Sequence, residues 1–495
     1  MHRILLLAGI TAGLAFGAQA QETPAAPART IAPDWGARLE ADTRAFHAAI
    51  MDSHPGPVDP LNPAFRANAE KGEALALRRA KTASTLGGWW WALRAYQAAF
   101  DDGHVQLYTV GDAVKLGNVW PGFLTVWKGA DQVVAAREDG RSDTPPLGAK
   151  LVSCDGVKGE ALAAQRVGAF RGRWFLEAQR VNYGDLLFVI SDNPYLKPLK
   201  TCRFSTSEGV KAYHLTWSAL SSEDLGKYRN TARPRGQFRF GLRDADGALW
   251  LSTPGFNGNT QSGDYKELTA ILAALKADPA RVQKASRIVL DLRGNGGGSS
   301  QWSYEIAREI WGEAWVRAHA PKGADAVDWR PSEANIASIA GFVKDQRDNG
   351  GSAEAIQWGE RALNGMKAAR DSGKPFWRPE DSEGADEAPP KPEAPAYAGK
   401  VFVLTDTACG SACLDAVDLW KALGAVQVGR ETSADTLYME VREQTLPSGM
   451  AGIAIPMKVY RGRERGNNEP HRPTHVFEGD MSDDAALLKW ISGLN

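Results

Sequence analysis

The segment Val401–Leu423 reads VFVLTDTACGSACLDAVDLWKAL and places one hydroxyl at an abrupt change of backbone period. Val401–Leu404 is an apolar run of strand length, and Thr405–Gly410 holds turn-formers and small residues. Ala412, Leu414, Ala416, Val417, Leu419, Trp420 and Leu423 follow at roughly helical spacing. Ser411 therefore falls where a strand breaks into a helix. Such a corner exposes the side-chain oxygen and turns the free N–H groups of the first helical turn toward the same space. Acyl transfer needs that pair, an exposed nucleophile and donors for the oxyanion it creates. On this segment alone, the simpler reading is that Ser411 caps the helix.

Two further corners bear on the choice. Ile288–Leu292, IVLDL, is a buried strand that runs into Arg293-Gly294-Asn295-Gly296-Gly297-Gly298-Ser299-Ser300, with a helix from about Trp302. No Gly-Lys-Ser/Thr follows and the G-x-G-x-x-G spacing is not met, so the loop is not a phosphate-binding fingerprint. Its other use is to bring backbone N–H groups against a reacting carbonyl, which glycine permits through close approach and unusual dihedrals. The second corner is Asp101-Asp102-Gly103-His104, at the end of a helix and before an alternating Val105, Leu107, Tyr108 strand. An imidazole there is a candidate general base; the alternative is a buried structural histidine.

The elements that must position these groups follow from the whole sequence. At 495 residues it exceeds one ordinary core, and two or three domains are expected. A net charge of −1 with 43% hydrophobic residues fits a soluble globular protein and argues against a nucleic-acid partner. The N-terminus has the form of a signal peptide: His2 and Arg3, the apolar Ile4–Phe16, then Ala18-Gln19-Ala20. No Cys follows the cleavage site, which argues against a lipid anchor, and no later apolar run reaches the ~18 residues of a membrane span. The expectation is an exported, soluble protein, periplasmic where the host has an outer membrane. Export permits disulfides among Cys154, Cys202, Cys409 and Cys413. Cys154 and Cys202 lie in strand-like stretches that could pair, and Cys409 and Cys413 flank Ser411. No His stands at ligand spacing from either pair, which argues against zinc.

In order, 21–33 reads as an Ala/Pro-rich flexible leader and 34–104 as helical, with Trp89, Trp90 and Trp91 as core or a domain-docking surface. Residues 105–220 are mostly short strands between Gly, Asp and Pro turns. Phe238–Thr253 gives two strands around Asp244-Ala245-Asp246-Gly247, and Asp264–Ala277 an amphipathic helix. Residues 302–398 contain further helical segments and a Pro-rich acidic stretch. This insertion is either a lid or a tolerated excursion. Val426–Gly429 is a strand, Glu440–Thr445 and Gly452–Val459 pair, and the loop Gly466–Pro473 carries Glu469.

Five segments thus occur in order: DDGHVQL with His104, a PDZ-like β-rich stretch, IVLDLRGNGGG, TACGSAC with Ser411, and EPHRPTHV with Glu469. This order resembles the S41 serine peptidases, the family of tail-specific (C-terminal processing) proteases and the tricorn core protease. The similarity runs from about residue 35 onward. The resemblance implies an α+β multidomain protein: a helical domain over 34–104, a divergent PDZ-like module over 105–220, and a ClpP/crotonase-like α/β catalytic core over 221–495. It implies a serine peptidase acting on peptides or unfolded protein tails, with no cofactor and no metal. Tail-specific proteases use a Ser–Lys dyad, but Asp435 in Gly429–Thr436 stands where that Lys would be. Tricorn-like members use an upstream His and a downstream Glu, which His104 and Glu469 match, although those proteins have a Ser where Gly103 stands here. The roles so implied are Ser411 as nucleophile, His104 as base, Glu469 as a polarising group, and the N–H groups of Gly297 and Ala412 as the oxyanion hole. Two alternatives stay open: a non-catalytic binding protein that keeps the fold, and a hydrolase of small esters or amides.

Overall fold

The computed structural model describes residues 33–234, 236–321, 323–380 and 394–494. The expected signal peptide, nearly all of the leader, and 381–393 of the acidic stretch lie outside these residues. Contacts divide the protein into Met1–Asp34 and Trp35–Asn495, and every element below belongs to the second unit. The architecture is mixed α/β with several hydrophobic cores.

A six-stranded sheet forms the centre of the C-terminal half, in the order Gly241–Ala245, Ala248–Ser252, Arg287–Asp291, Lys400–Thr405, Val426–Gly429, His475–Val476. The first pair is an antiparallel hairpin and the remaining pairs are parallel. Parallel strands are covered on both faces, which is why IVLDL and VFVL read as unbroken apolar runs. One face packs on Gly263–Ala277, Gln301–Trp311 and Ala412–Ala422, and the other on Asp484–Ser492. Arg287–Asp291 and Lys400–Thr405 are adjacent and in parallel register, Asp291 opposite Leu404. The glycine-rich loop and the Ser411 loop therefore leave the same sheet edge side by side, where open α/β sheets build their sites.

The N-terminal part folds as three helices, Trp35–Ser53, Ala64–Ala80 and Leu86–Ala98. Trp89 is fully buried and its indole N–H donates to Asp42 Oδ2 at 2.8 Å, while the Trp91 N–H reaches the Ser191 carbonyl at 2.6 Å. The strand after His104, Gln106–Thr109, pairs antiparallel with Ala451–Arg461. That strand also pairs with Tyr438–Thr445, so the N-terminal helices are stitched to the C-terminal half. A third sheet runs Phe123–Lys128, Asp131–Arg137, Lys150–Cys154, Thr201–Thr206, Gly209–His214. Cys154 and Cys202 face each other in register there and form a disulfide.

The region 302–398 departs from its expected helical content at one place. Ala326–Trp329 is a strand on the far end of Ala451–Arg461. Pairing outweighs local preference here: Trp329 is buried, and Asp328 is held by Arg461 and Arg378. The helices Glu333–Asp348 and Ala353–Asp371 follow as a packed pair.

Candidate active site

Ser411 has φ 54° and ψ −128°, a backbone conformation that costs a non-glycine residue on the order of 1–3 kcal/mol. It is the residue before the helix Ala412–Ala422, and its hydroxyl makes no capping bond to that helix. The cap reading therefore fails, and Ser411 stands at a strained, uncapped strand-to-helix corner. Three features hold it. The Asp435 carboxylate accepts the Ser411 backbone N–H at 2.6 Å. Cys409 and Cys413 form a disulfide across the corner. Gly297, at φ 105°, lies so close that a Cβ there would stand 2.6 Å from Ser411 Cβ and 2.8 Å from the Gly410 carbonyl oxygen. Asp435, where the resemblance would put a dyad lysine, is thus a main-chain support for Ser411.

The glycine-rich loop is locked to the serine loop. Asn295, fully buried, accepts the Gly410 N–H at its carbonyl (3.3 Å), and its amide donates to the Thr253 carbonyl (2.8 Å). The Asp406 carboxylate accepts N–H groups from both loops, Gly294 at 3.1 Å and Ala408 at 3.0 Å. Burial pushes the Asp406 carboxyl up to about 6 against these two bonds. Ser300 donates to Asp415 Oδ2 at 2.7 Å, tying the loop's far end to the serine helix. Of the two expected oxyanion donors, Gly297 donates its N–H to Asn295 Oδ1 at 2.8 Å. The Ala412 N–H, first in its helix, has no protein acceptor among the described residues.

His104 sits in an Asx turn, with its backbone N–H donating to Asp102 Oδ1 at 2.8 Å. The other oxygen of Asp102 lies 3.2 Å from Nε2 of the fully buried His54. The Gly56 N–H donates to His54 Nδ1, so His54 carries its proton on Nε2 and donates it to Asp102. Burial holds the His54 imidazole below its ordinary range. Burial pushes Asp102 upward, but the bond from His54 and the nearness of both histidines more than offset this and hold it below the usual carboxylate range. A buried negative charge thus stands beside His104, whose Nδ1 is itself buried without a partner.

The His104 turn and the Ser411 corner meet through Arg173 and Asn468. The Arg173 N–H donates to Asp101 Oδ1 (2.9 Å) and its guanidinium to the Ala434 carbonyl (2.5 Å). Asn468 donates its amide to the Asp101 carbonyl (2.9 Å) and its main-chain N–H to the Asp435 carbonyl (2.6 Å). The Arg173 guanidinium also lies against Gly103, about 2.8 Å from where a Cβ would be, so it occupies the place of a side chain at 103. Glu469 is exposed, and its carboxylate accepts the Gly466 N–H of its own loop at 2.9 Å rather than a bond from His104 or Ser411. His471, in the same loop, stands with Nε2 2.8 Å from Asp418 Oδ1 on the serine helix. His475 lies in the edge strand.

The sequence reading missed His54, Asp102, Asn295 and Arg173 as site residues. Only Asp102 left a local signal, since Asp two residues before a corner residue is the pattern of an Asx turn.

Residues 250–472 match the model of peptidase family S41. Over this segment the protein is similar to the S41 peptidases. No curated protein matches the sequence significantly. Among solved structures, mature CPAF superposes with a TM-score of 0.57 at 14% identity, covering 89% of this protein and 93% of CPAF. Mature CPAF complexed with lactacystin gives 0.55 at 13% identity, covering 89% of this protein and 94% of that one. The match spans the sheet from Trp250 through the glycine-rich loop, the Ser411 corner and Asp435 to the Glu469 loop, so the corner described above lies inside the matched segment. Among the described residues, no helix is long and apolar enough to cross a membrane.

Proposed function

We propose that this protein is an exported serine peptidase in which Ser411 is the nucleophile and His104 the general base. The observation that carries it is the Ser411 corner: a strained, uncapped serine, stapled by a disulfide, held by Asp435 and packed against Gly297. Ser411 Oγ attacks the scissile carbonyl carbon while its proton passes to His104. The Ala412 N–H meets the oxyanion, joined by the Gly297 N–H, which Asn295 Oδ1 holds until a stronger acceptor arrives. The C–N bond then breaks as His104 returns the proton to the leaving amine. Water, deprotonated by the same ring, hydrolyses the acyl ester. The Asp102 carboxylate favours the imidazolium that forms. Glu469 shapes the loop that presents Asn468.

A cleft of about 1470 Å³ runs beside the site, lined by Gly294, Asp406, Thr407 and Ala408 on one side and by Trp127, Val133 and Val134 of the third sheet on the other. We assign it to an extended peptide or unfolded tail, with the sheet over 123–214 as the PDZ-like module. The disulfides Cys154–Cys202 and Cys409–Cys413 fit the oxidising compartment that export implies. One observation favours the binding-protein reading, namely that His104 Nδ1 has no orienting partner. Hydrolysis of unfolded protein by the purified protein and by its Ser411→Ala variant separates the two. Loss of activity in the variant supports the peptidase, equal activity in both overturns Ser411 as its nucleophile, and no activity in either supports the binding reading.

A further inference from the structure

A polar cavity of about 350 Å³ lies beside the His104 turn, lined by Arg94, Arg171, Arg173, Gln179, Asp102 and Gly103 among others. Its charge is one-sided. Among the described residues no carboxylate makes an ion pair with Arg94, Arg171 or Arg173. The acidic groups at its wall are already engaged: Asp101 by the Arg173 N–H, Asp102 by His54 and the His104 N–H. Asp185 behind it is paired with Arg229. Arg94 spends one N–H on the Leu107 carbonyl at 3.2 Å, and among the described residues Arg171 is held only by the faces of Tyr183 and Trp91, at 4.8 and 5.8 Å. Burial lowers the affinity of both guanidinium groups for their protons; the Arg171 charge adds to this at Arg94, while Tyr183 and Asp185 partly offset it at Arg171.

We propose that this cavity is an anion subsite that takes a carboxylate carried by the released fragment of the substrate. The proposal rests on the peptidase reading and names its substrate class. His104 protonates the leaving amine, so the substrate segment that follows the scissile bond lies on the His104 side. The cavity ends at Gly103, one residue from that ring. Arginine forks match carboxylates in two parallel hydrogen bonds. The volume lies at the lower end of ordinary ligand pockets and suits the short end of a peptide. Two sources share this chemistry, a C-terminal α-carboxylate and an Asp or Glu side chain.

The test uses three versions of one fluorogenic peptide: a free C-terminal acid, its amide, and an amide with Glu placed after the cleaved bond. The full-length protein should cleave one or both anionic versions with a kcat/KM about tenfold or more above the neutral amide, the size of one charge-assisted hydrogen bond. Which one is preferred identifies the source. In Arg171→Met and Arg94→Gln, folded by circular dichroism, the ratio should fall to about one. A ratio near one in the parent protein, or one unchanged in both variants, overturns the proposal. If no peptide is cut, the peptidase reading fails and binding decides. Titrating the Ser411→Ala variant by Trp fluorescence should give a saturable change with an anionic peptide that Arg171→Met abolishes. Equal affinity for acid and amide would then refute the subsite.

Discussion

Replacing Gly297 by alanine puts a methyl group where the structure has none to spare. Its Cβ would stand 2.6 Å from Ser411 Cβ, 2.8 Å from the Gly410 carbonyl and 3.0 Å from the Ala412 N, when ordinary contact begins at 3.4 Å. Two of these three neighbours are backbone atoms and none is the end of a flexible side chain, so the corner itself must move, by about 0.8 Å at Ser411. A displacement of roughly 1 Å at a reacting atom costs about 100-fold in rate. Alanine at φ 105° adds strain of roughly 1–3 kcal/mol, which denaturant unfolding would register. The expected result is a folded, destabilised protein whose kcat on an unfolded substrate falls about 100-fold, with KM changed far less. If Gly297→Ala keeps activity within about threefold and its stability is unchanged, the glycine-rich loop does not press on the nucleophile, and the account of the corner is wrong.

Asp435→Ala should remove the acceptor of the Ser411 N–H, costing about 1–3 kcal/mol of stability and at least tenfold in kcat, with Asp435→Asn recovering most of both because its Oδ1 still accepts. Asp406, raised to about 6 by burial, binds its proton more tightly folded than unfolded. It therefore favours folding at low pH, and this contribution is lost as pH rises from about 4 through about 6, by at most about 3 kcal/mol. Denaturant unfolding across that window should show this slope in the parent protein and not in Asp406→Asn; parallel curves would remove Asp406 as the cause. Replacing Cys409 and Cys413 together by Ser should lower stability by about 2 kcal/mol, the entropic value for so short a loop, and lower kcat as well. Unchanged kcat would show that the staple serves folding alone.

The corner was legible in sequence because its ingredients are local. An apolar run, a short set of small residues and a helical repeat place Ser411 and the glycine-rich loop without any long-range contact, and adjacent parallel strands bring the two together. What joins this corner to its base is not local. His54 and Asp102 meet across 48 residues, and Arg173 fills the space beside Gly103 from another part of the sequence. Ala326–Trp329 lies in a stretch that reads as helical and becomes a strand only by pairing with Ala451–Arg461. Asn295 looks like one more turn residue in a glycine run, and only the fold shows its carbonyl and amide locking two loops. Glu469 was chosen by its place in a family order, and the bond its carboxylate accepts from Gly466 was not legible in that order.

The central claim is that Ser411 is a nucleophile activated by His104. Labelling with a fluorophosphonate probe, followed by peptide mapping, tests it without knowledge of the substrate. The folded protein should carry the label on Ser411. His104→Gln should slow labelling at least 100-fold while the protein stays folded. No label on Ser411, or labelling that His104→Gln leaves unchanged, would contradict the account.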